Sequence, residues 1–356
     1  WITLIGQIGS VAGIDYSFAL FADPLLAGTF GYTSTETTTL VLFGITLLLH
    51  GVFNHIGIRL VARLNDFSAW YHIGVVVILV GSLAFFSRHE LQPLDYLFQV
   101  GQTFSDKPYA LAFLIGLLQA QWTFTGYDAS AHTIEETINP RVRAAWGIFS
   151  SVAFSFIFGF VMLAFVTLSI KDAAAASGAE NAFIYVISEA LGGTFGTAVL
   201  WLVTFAMWFC GLSSVTSFSR MLYAFSRDKG IPWSRHWAQI SVRYRTPAKA
   251  IWLVVILSFA LALFDYILKR INPDTSYTTL AFLTAVSVVG LYVAYGIPLY
   301  LKLRAEAKGL FRPEHYGPWN LGTWSKPINV ISLIWIVFIS IVMVIPPNQN
   351  AGFALI

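Results

Sequence analysis

Gln119-Ala-Gln-Trp-Thr-Phe-Thr-Gly-Tyr-Asp-Ala-Ser-Ala-His-Thr-Ile-Glu-Glu136 follows directly on an apolar run, 109–118. Together the two stretches are long enough to cross a bilayer, which takes roughly 20 mostly apolar residues. Yet Gln121, Thr123, Thr125, Asp128, His132, Glu135 and Glu136 all fall in the second part. Polar groups at membrane depth are expensive and mark function. An uninterrupted helix facing lipid would not tolerate the set. Gly126 stands at its centre and weakens a helix by roughly 1 kcal/mol relative to Ala. A break there frees backbone N–H and C=O groups, tolerable only where they line a cavity or are buried in protein. The stretch therefore reads as a discontinuous transmembrane helix, non-helical around Thr125-Gly126-Tyr127, whose inner ends hold a substrate or ion. The plainer alternative is a kinked helix with Asp128 paired to a neighbour.

The rest of the chain supports a membrane setting. Its 356 residues are 57% apolar and only 11% charged, with a mean hydropathy of +0.70. A soluble domain is about a quarter charged, so a water-soluble fold of this composition could not cover its surface. Nine segments qualify as spans: 1–26, 38–57, 67–86, 109–135, 144–170, 194–226, 247–268, 278–302 and 327–346. No sustained alternation of period two argues for strands. The whole of 1–356 reads as a single transmembrane domain. The chain starts at Trp1 inside an apolar segment, without an initiator Met, and ends in an apolar stub, Gly352 to Ile356, so it reads as part of a longer protein.

Basic residues fix the expected orientation, because cytoplasmic loops carry an excess of Lys and Arg. One alternate set of loops and span ends holds Arg59, Arg63, Arg141, Arg143, Arg220, Arg227, Lys229, Arg235, Arg243, Arg245, Lys249, Lys302, Arg304, Lys308, Arg312 and Lys326. The other set holds only Arg88, Lys107, Lys171, Lys269 and Arg270. Trp1 is then near the cytoplasm and Ile356 outside, most simply across a plasma membrane. A formal charge of +3 gives no reason to expect nucleic acid, and a single cysteine, Cys210, excludes a disulfide framework or a Cys-rich metal site. No HExxH, GxSxG or Walker A pattern occurs, so an enzyme or ATP-driven pump within this chain is not expected. Neither a cofactor nor a metal is expected. No channel filter sequence is evident.

Trp122-Thr-Phe-Thr-Gly-Tyr-Asp-Ala-Ser130, followed by Glu136 and Asn139-Pro-Arg-Val-Arg-Ala144, resembles the sixth helix of the amino acid–polyamine–organocation superfamily. Ser219-Arg-Met-Leu-Tyr-Ala-Phe-Ser-Arg-Asp-Lys-Gly-Ile-Pro232 is similar to the end of that family's eighth helix. The variant Thr125-Gly-Tyr-Asp-Ala-Ser-Ala-His132 looks most like the amino acid/choline branch, which includes fungal GABA permeases. The resemblance covers the whole chain. It implies an all-α, LeuT-like fold of five-plus-five inverted repeats that works by alternating access. The first segment here would be the family's third helix and the ninth its eleventh, leaving the first two helices and the last outside the chain. The implied activity is secondary transport of amino acids or small amines such as GABA, with protons as a further partner. Choline or polyamine transport, or nutrient sensing on the same scaffold, stay open beside it.

The expected substrate set is Trp122, Thr123, Phe124, Thr125, Gly126, Tyr127 and Asp128, joined by Ser213 and Ser214 from the small, polar stretch 211–217. In the family an aromatic at the position of Trp122 covers the bound substrate. Asp128 can accept from a substrate amine, titrate during coupling, or cap the second half-helix. His132 lies at i+4 from Asp128, so the two can face each other. Glu135 and Glu136 lie near Arg141 and Arg143 and read as gate or loop ion pairs. Gly6, Gly9 and Gly13 suit close helix contact, and Asp15 after them is expected toward an outer vestibule. Counting from Leu64-Asn65-Asp66 places His72 where some proton-coupled relatives carry a lysine. His72, Asp128, His132 and Glu136 are thus the expected coupling and gating residues. The plain alternatives are packing for Trp122 and His72, and hydroxyls bonded to their own helix for Ser213, Ser214 and Thr216.

Overall fold

Backbone that crosses hydrocarbon must close its own hydrogen bonds, and this chain does so with helices. A computed structural model describes residues 1–99, 108–272 and 277–344. In chain order its α-helices are α1 (Ile2–Phe30), α2 (Glu36–Ile56), α3 (Ile58–Phe86), α4 (Tyr109–Thr123), α5 (Ala129–His132), α6 (Pro140–Leu168) and α7 (Ala173–Gly178). They continue with α8 (Ala182–Leu191), α9 (Gly193–Arg227), α10 (Ser234–Trp237), α11 (Ala248–Ile271), α12 (Thr279–Ala307) and α13 (Ser325–Val344). No strand occurs among the described residues.

Eight of these helices are long and apolar enough to cross a membrane: α1, α2, α3, α6, α9, α11, α12 and α13. The remaining expected span, 109–135, is not one of them. Its helical part, α4, is 15 residues long and stops at Thr123, short of the roughly 20 needed. The third span also starts earlier than hydropathy suggests. Arg59 and Arg63 sit exposed on the first turns of α3, where long basic side chains reach water while their stems stay apolar. Several helix starts are held by side chains. Thr35 and Thr38 form a reciprocal cap on α2, Asp172 caps α7, Asn181 caps α8 and Thr278 caps α12.

The described residues fall into two compact units. The first comprises the described residues of 1–13, 114–152 and 214–344; the second comprises those of 14–113 and 153–213. In the first unit the N-terminal part of α1 lies against α12 with backbones touching. A Cβ added at Gly6 would stand 2.8 Å from Leu291 N, and one at Gly9 would stand 2.8 Å from Ser287 N. The run Phe282–Tyr292 of α12 is buried throughout. α13 packs along α12, with Ile336 against Gly296, and turns Ile331, Ile334, Val337 and Ile341 outward. That outward row repeats every three to four residues, the stripe of a helix facing lipid.

In the second unit, Leu79 and Leu83 of α3, Val186 and Ile187 of α8, and Val199 and Leu200 of α9 form one buried cluster. Tyr16 and Phe43 pack edge to face between α1 and α2, ring centres 5.7 Å apart. Asp23, buried on α1, accepts hydrogen bonds from Tyr32, Ser34, Thr38 and Thr39. In the turn beyond α1, burial and the hydrogen bond to Asp23 push the Tyr32 phenol up to about 12.

Candidate functional site

The site begins where α4 gives way. Phe124 N–H reaches both Ala120 O and Gln121 O at 3.2 Å, and Thr125 N–H bonds Trp122 O at 3.2 Å. The last turn thus tightens toward the 3₁₀ form before stopping. The hydroxyl of Thr125 takes up Trp122 O as well, at 2.8 Å. Gly126 then adopts φ +78°, a conformation that glycine adopts without steric cost. Residues 124–128 are non-helical, as the polar cluster around Gly126 predicts. The second half-helix is shorter than expected, a single turn, α5, followed by a 3₁₀ turn at Ile134–Glu136.

Within the first unit this break is tied to α12 and α1. Tyr295 OH donates to Asp128 Oδ1 at 2.8 Å and accepts from Gly126 N–H at 3.3 Å. The Tyr127 and Tyr295 rings lie 4.6 Å apart, and Tyr292 adds a third ring 6.0 Å from Tyr295. His132 Nε2 is 2.9 Å from Asp128 Oδ2, as i,i+4 spacing allows. Gln7 of α1 approaches the same nitrogen at 3.4 Å. One nitrogen cannot donate to Asp128 and accept from an amide N–H together. The shorter contact identifies Nε2–H as the donor, and the Gln7 amide turned over would then offer its oxygen. Trp122 is half-buried with its ring over α1: a Cβ on Gly13 would lie 2.9 Å from Trp122 Cη2. Gln121 is buried, and its side-chain oxygen has no hydrogen-bond partner among the described residues.

Not every expected residue joins this cluster. Thr123 is exposed and its hydroxyl turns back to Gln119 O at 2.9 Å. Phe124 is half-buried. Asp128 does not cap α5. Its backbone is αR rather than extended, and its carboxylate is spent on His132 and Tyr295. Glu135 pairs with Arg227 of α9 through two bonds of 2.8 and 2.9 Å, rather than with Arg141 or Arg143, which point to solvent. The fork of a guanidinium matches a carboxylate bidentately, and that match outweighs proximity in sequence. The Glu136 side chain lies outside the described residues. Ser214 is half-buried and Thr216 buried on the first-unit part of α9.

His72 and Ser213 belong to the second unit. His72 Nδ1–H bonds Ser68 O at 2.7 Å. Ser213 Oγ is 2.8 Å from Asn65 Oδ1 and 3.0 Å from Phe209 O. Asp15 is not in a vestibule: it is fully buried and stands 3.0 Å from His50 Nδ1. Hydropathy reports how deep a residue lies along a span but not which way its side chain turns, and here it turns toward a neighbouring helix. Sequence reasoning passed over Tyr295, Tyr292, Gln7 and His50. Two signals were present: tyrosines at i and i+3 in an apolar span, and a histidine inside Leu47-Leu-Leu-His-Gly51. Among the described residues no group of three His, Cys, Asp or Glu is placed to hold a metal.

A multi-helix chain with a broken span carrying Trp122, Asp128 and His132 fits a solute permease. The sequence pattern of the amino acid permease family matches residues 1–355. The chain is 31% identical over 364 residues to the amino-acid permease BAT1 of Arabidopsis thaliana, covering 97% of this chain and 68% of that protein. Its rice homolog, from Oryza sativa, is 30% identical over 365 residues with the same coverage. The GABA-specific permease of Saccharomyces cerevisiae is 28% identical over 298 residues, covering 82% of this chain and 50% of that protein. The chain belongs to the amino acid permease family and is an integral, multi-pass membrane protein.

Proposed function

We propose that this chain forms the transport core of a proton-linked secondary transporter for amino acids or related small amines such as GABA. The observation that carries this is the break at residues 124–128, where Asp128, Tyr127, Tyr295 and Trp122 surround freed backbone within one unit. A substrate ammonium finds there a carboxylate and ring faces suited to a cation. Trp122 supplies apolar cover, as the sequence leads one to expect. The Asp128–His132 pair is the proposed place of the coupled proton, beside the carboxylate that would receive the substrate ammonium. His72 is a weaker coupling candidate, because its Nδ1–H is committed to a main-chain carbonyl. Ser213, Ser214 and Glu136 complete the proposed set. The proposed setting is a plasma membrane with Trp1 on the cytoplasmic side and Ile356 outside. The whole works as one permease domain that alternates access between two sides.

Reconstitution tests the reading. Liposomes holding the full-length protein are given labelled amino acids, GABA, choline and a polyamine under separate proton and sodium gradients. Accumulation of an amino acid or GABA that follows the proton gradient is expected. Accumulation of choline or polyamine alone, or no transport of any of them, would overturn it.

A further inference from the structure

The second unit holds another aspartate–histidine pair. Asp15 of α1 and His50 of α2 are both fully buried, with Nδ1 and Oδ2 3.0 Å apart. Trp208 of α9 closes over the imidazole, edge to face at 4.9 Å. Gly211, one turn further along α9, is pressed onto the carboxylate: a Cβ there would run into Asp15 Oδ1 and stand 2.8 Å from His50 Cε1. Asn54 Nδ2 ties α2 to α9 beside it through His50 O and Leu212 O. Two atoms are left over, since Asp15 Oδ1 and His50 Nε2 have no hydrogen-bond partner among the described residues. Asp23, the other buried carboxylate of α1, shows how a structural carboxylate is treated, with four hydroxyl groups on its oxygens.

Charge settles what such a pair can be. No lysine or arginine occurs in 14–30, 36–56 or 193–213, the parts of α1, α2 and α9 within this unit. Their other ionisable groups are Tyr16, Asp23, Glu36, His55 and Cys210, while the hydrogen bond and ion pair described for Asp15 and His50 join these two to each other. On α3, which packs against α2, Arg59, Arg63 and Asp66 are exposed and His72 is bonded to Ser68; Tyr71 OH bonds Leu202 O. Among the described residues, the pair's own hydrogen bond and ion pair are to each other. With no mobile proton the pair carries a net negative charge, with two a net positive charge, and either is costly away from water. With one proton, on imidazole or carboxyl, it is neutral.

We propose that Asp15 and His50 form a binding site for one proton, and that the seating of Gly211 on the carboxylate requires that proton to be present. Binding and packing are linked, so each favours the other reciprocally. A proton leaves only when α9 draws back and water reaches Oδ1 and Nε2. Under that reading, proton occupancy bears on how closely α1 and α9 pack within this unit. This inference rests on the transporter reading above and adds a second proton site to it.

The test uses the full-length protein in liposomes with Asp15→Asn and His50→Gln. Exchange of labelled for unlabelled substrate, without a gradient, is compared with accumulation driven by an imposed proton gradient. The expected result is a split in which exchange survives and gradient-driven accumulation falls roughly tenfold or more, within the usual range of site coupling. A pair that only glued helices together would move both readouts. A variant that exchanges and still accumulates like the wild type overturns the proposal, as does wild-type accumulation that follows sodium and ignores pH. Wild-type protein that neither exchanges nor accumulates removes the transporter reading itself. Where a single variant also loses exchange, the inverted pair Asp15→His with His50→Asp decides. Regained exchange with gradient dependence upholds the site, and anything less overturns it.

Discussion

Asp128–His132 and Asp15–His50 join the same two side chains at 2.9 and 3.0 Å in opposite surroundings. The first pair is local, one helical turn apart, with side chains 15% and 14% exposed. Tyr295 and Gln7 give it outer partners, and it stands in a stretch with no continuous helix. The second joins two helices, is wholly buried, and keeps an unmatched atom on each side. The difference teaches that the pair's chemistry is set by its second layer. The Tyr295 hydroxyl and the Gln7 amide give the first pair further partners in place. The second has no such outer partner among the described residues, and it is held by the packing of α1, α2 and α9.

The largest expected effect breaks that contrast from the buried side. Gly211→Ala drives a methyl into Asp15 Oδ1 and must part the two groups. Parting a buried pair costs about 3–5 kcal/mol, and the thermal unfolding midpoint in detergent should drop accordingly; an unchanged midpoint would count against the packing described. Next, Tyr295→Phe removes the hydroxyl from Asp128. A hydrogen bond to a charged group is worth about 1.5–3 kcal/mol, so uptake efficiency should fall by one to two orders of magnitude with little change in unfolding. Uptake equal to wild type would detach Tyr295 from the site. Gly126→Ala is milder, because no atom lies within 4 Å of the added Cβ and only the left-handed backbone resists, at about 1–2 kcal/mol. Substrate affinity should weaken while the protein stays folded, which a binding titration checks.

The smallest effect belongs to a pair at the surface. Lys171, hydrogen-bonded to Glu90, holds that exposed carboxyl below its usual range. A carboxylate depressed in the folded state stabilises at pH above its unfolded value, and the contribution fades as pH falls through the lowered folded value. Unfolding midpoints measured against pH should therefore show Glu90→Gln converging on the wild type in acid and falling slightly behind near neutrality. A constant gap across pH would show that the bridge contributes nothing.

Much of the architecture was legible because lipid imposes a simple rule on composition. Long apolar runs mark α1, α2, α3, α6, α9, α11, α12 and α13, and a glycine among polar residues marks the break after Thr123. Partners across helices were not legible. Hydropathy places Asp15 and His50 within apolar runs but says nothing of their rotation about the helix axis, which decides that they meet. Tyr295 was hidden for the same reason, since a tyrosine in an apolar span reads as ordinary filling until its hydroxyl is seen on Asp128. Asp128 and His132 were readable because one helical turn fixes their geometry without reference to the rest of the fold.

The backbone contact of Gly6 and Gly9 with α12 also governs the order in which the molecule can be made. α1 leaves the ribosome before every other helix described here, and α12 follows after nearly the whole of the chain. During that interval Gly6 and Gly9 of α1 lack the α12 backbone that they meet in the folded chain. The first unit can be completed only late in synthesis. A stalled chain ending before α12 should therefore leave α1 more open to proteases or membrane quality control, while every residue of the second unit, which ends at Ser213, is already made.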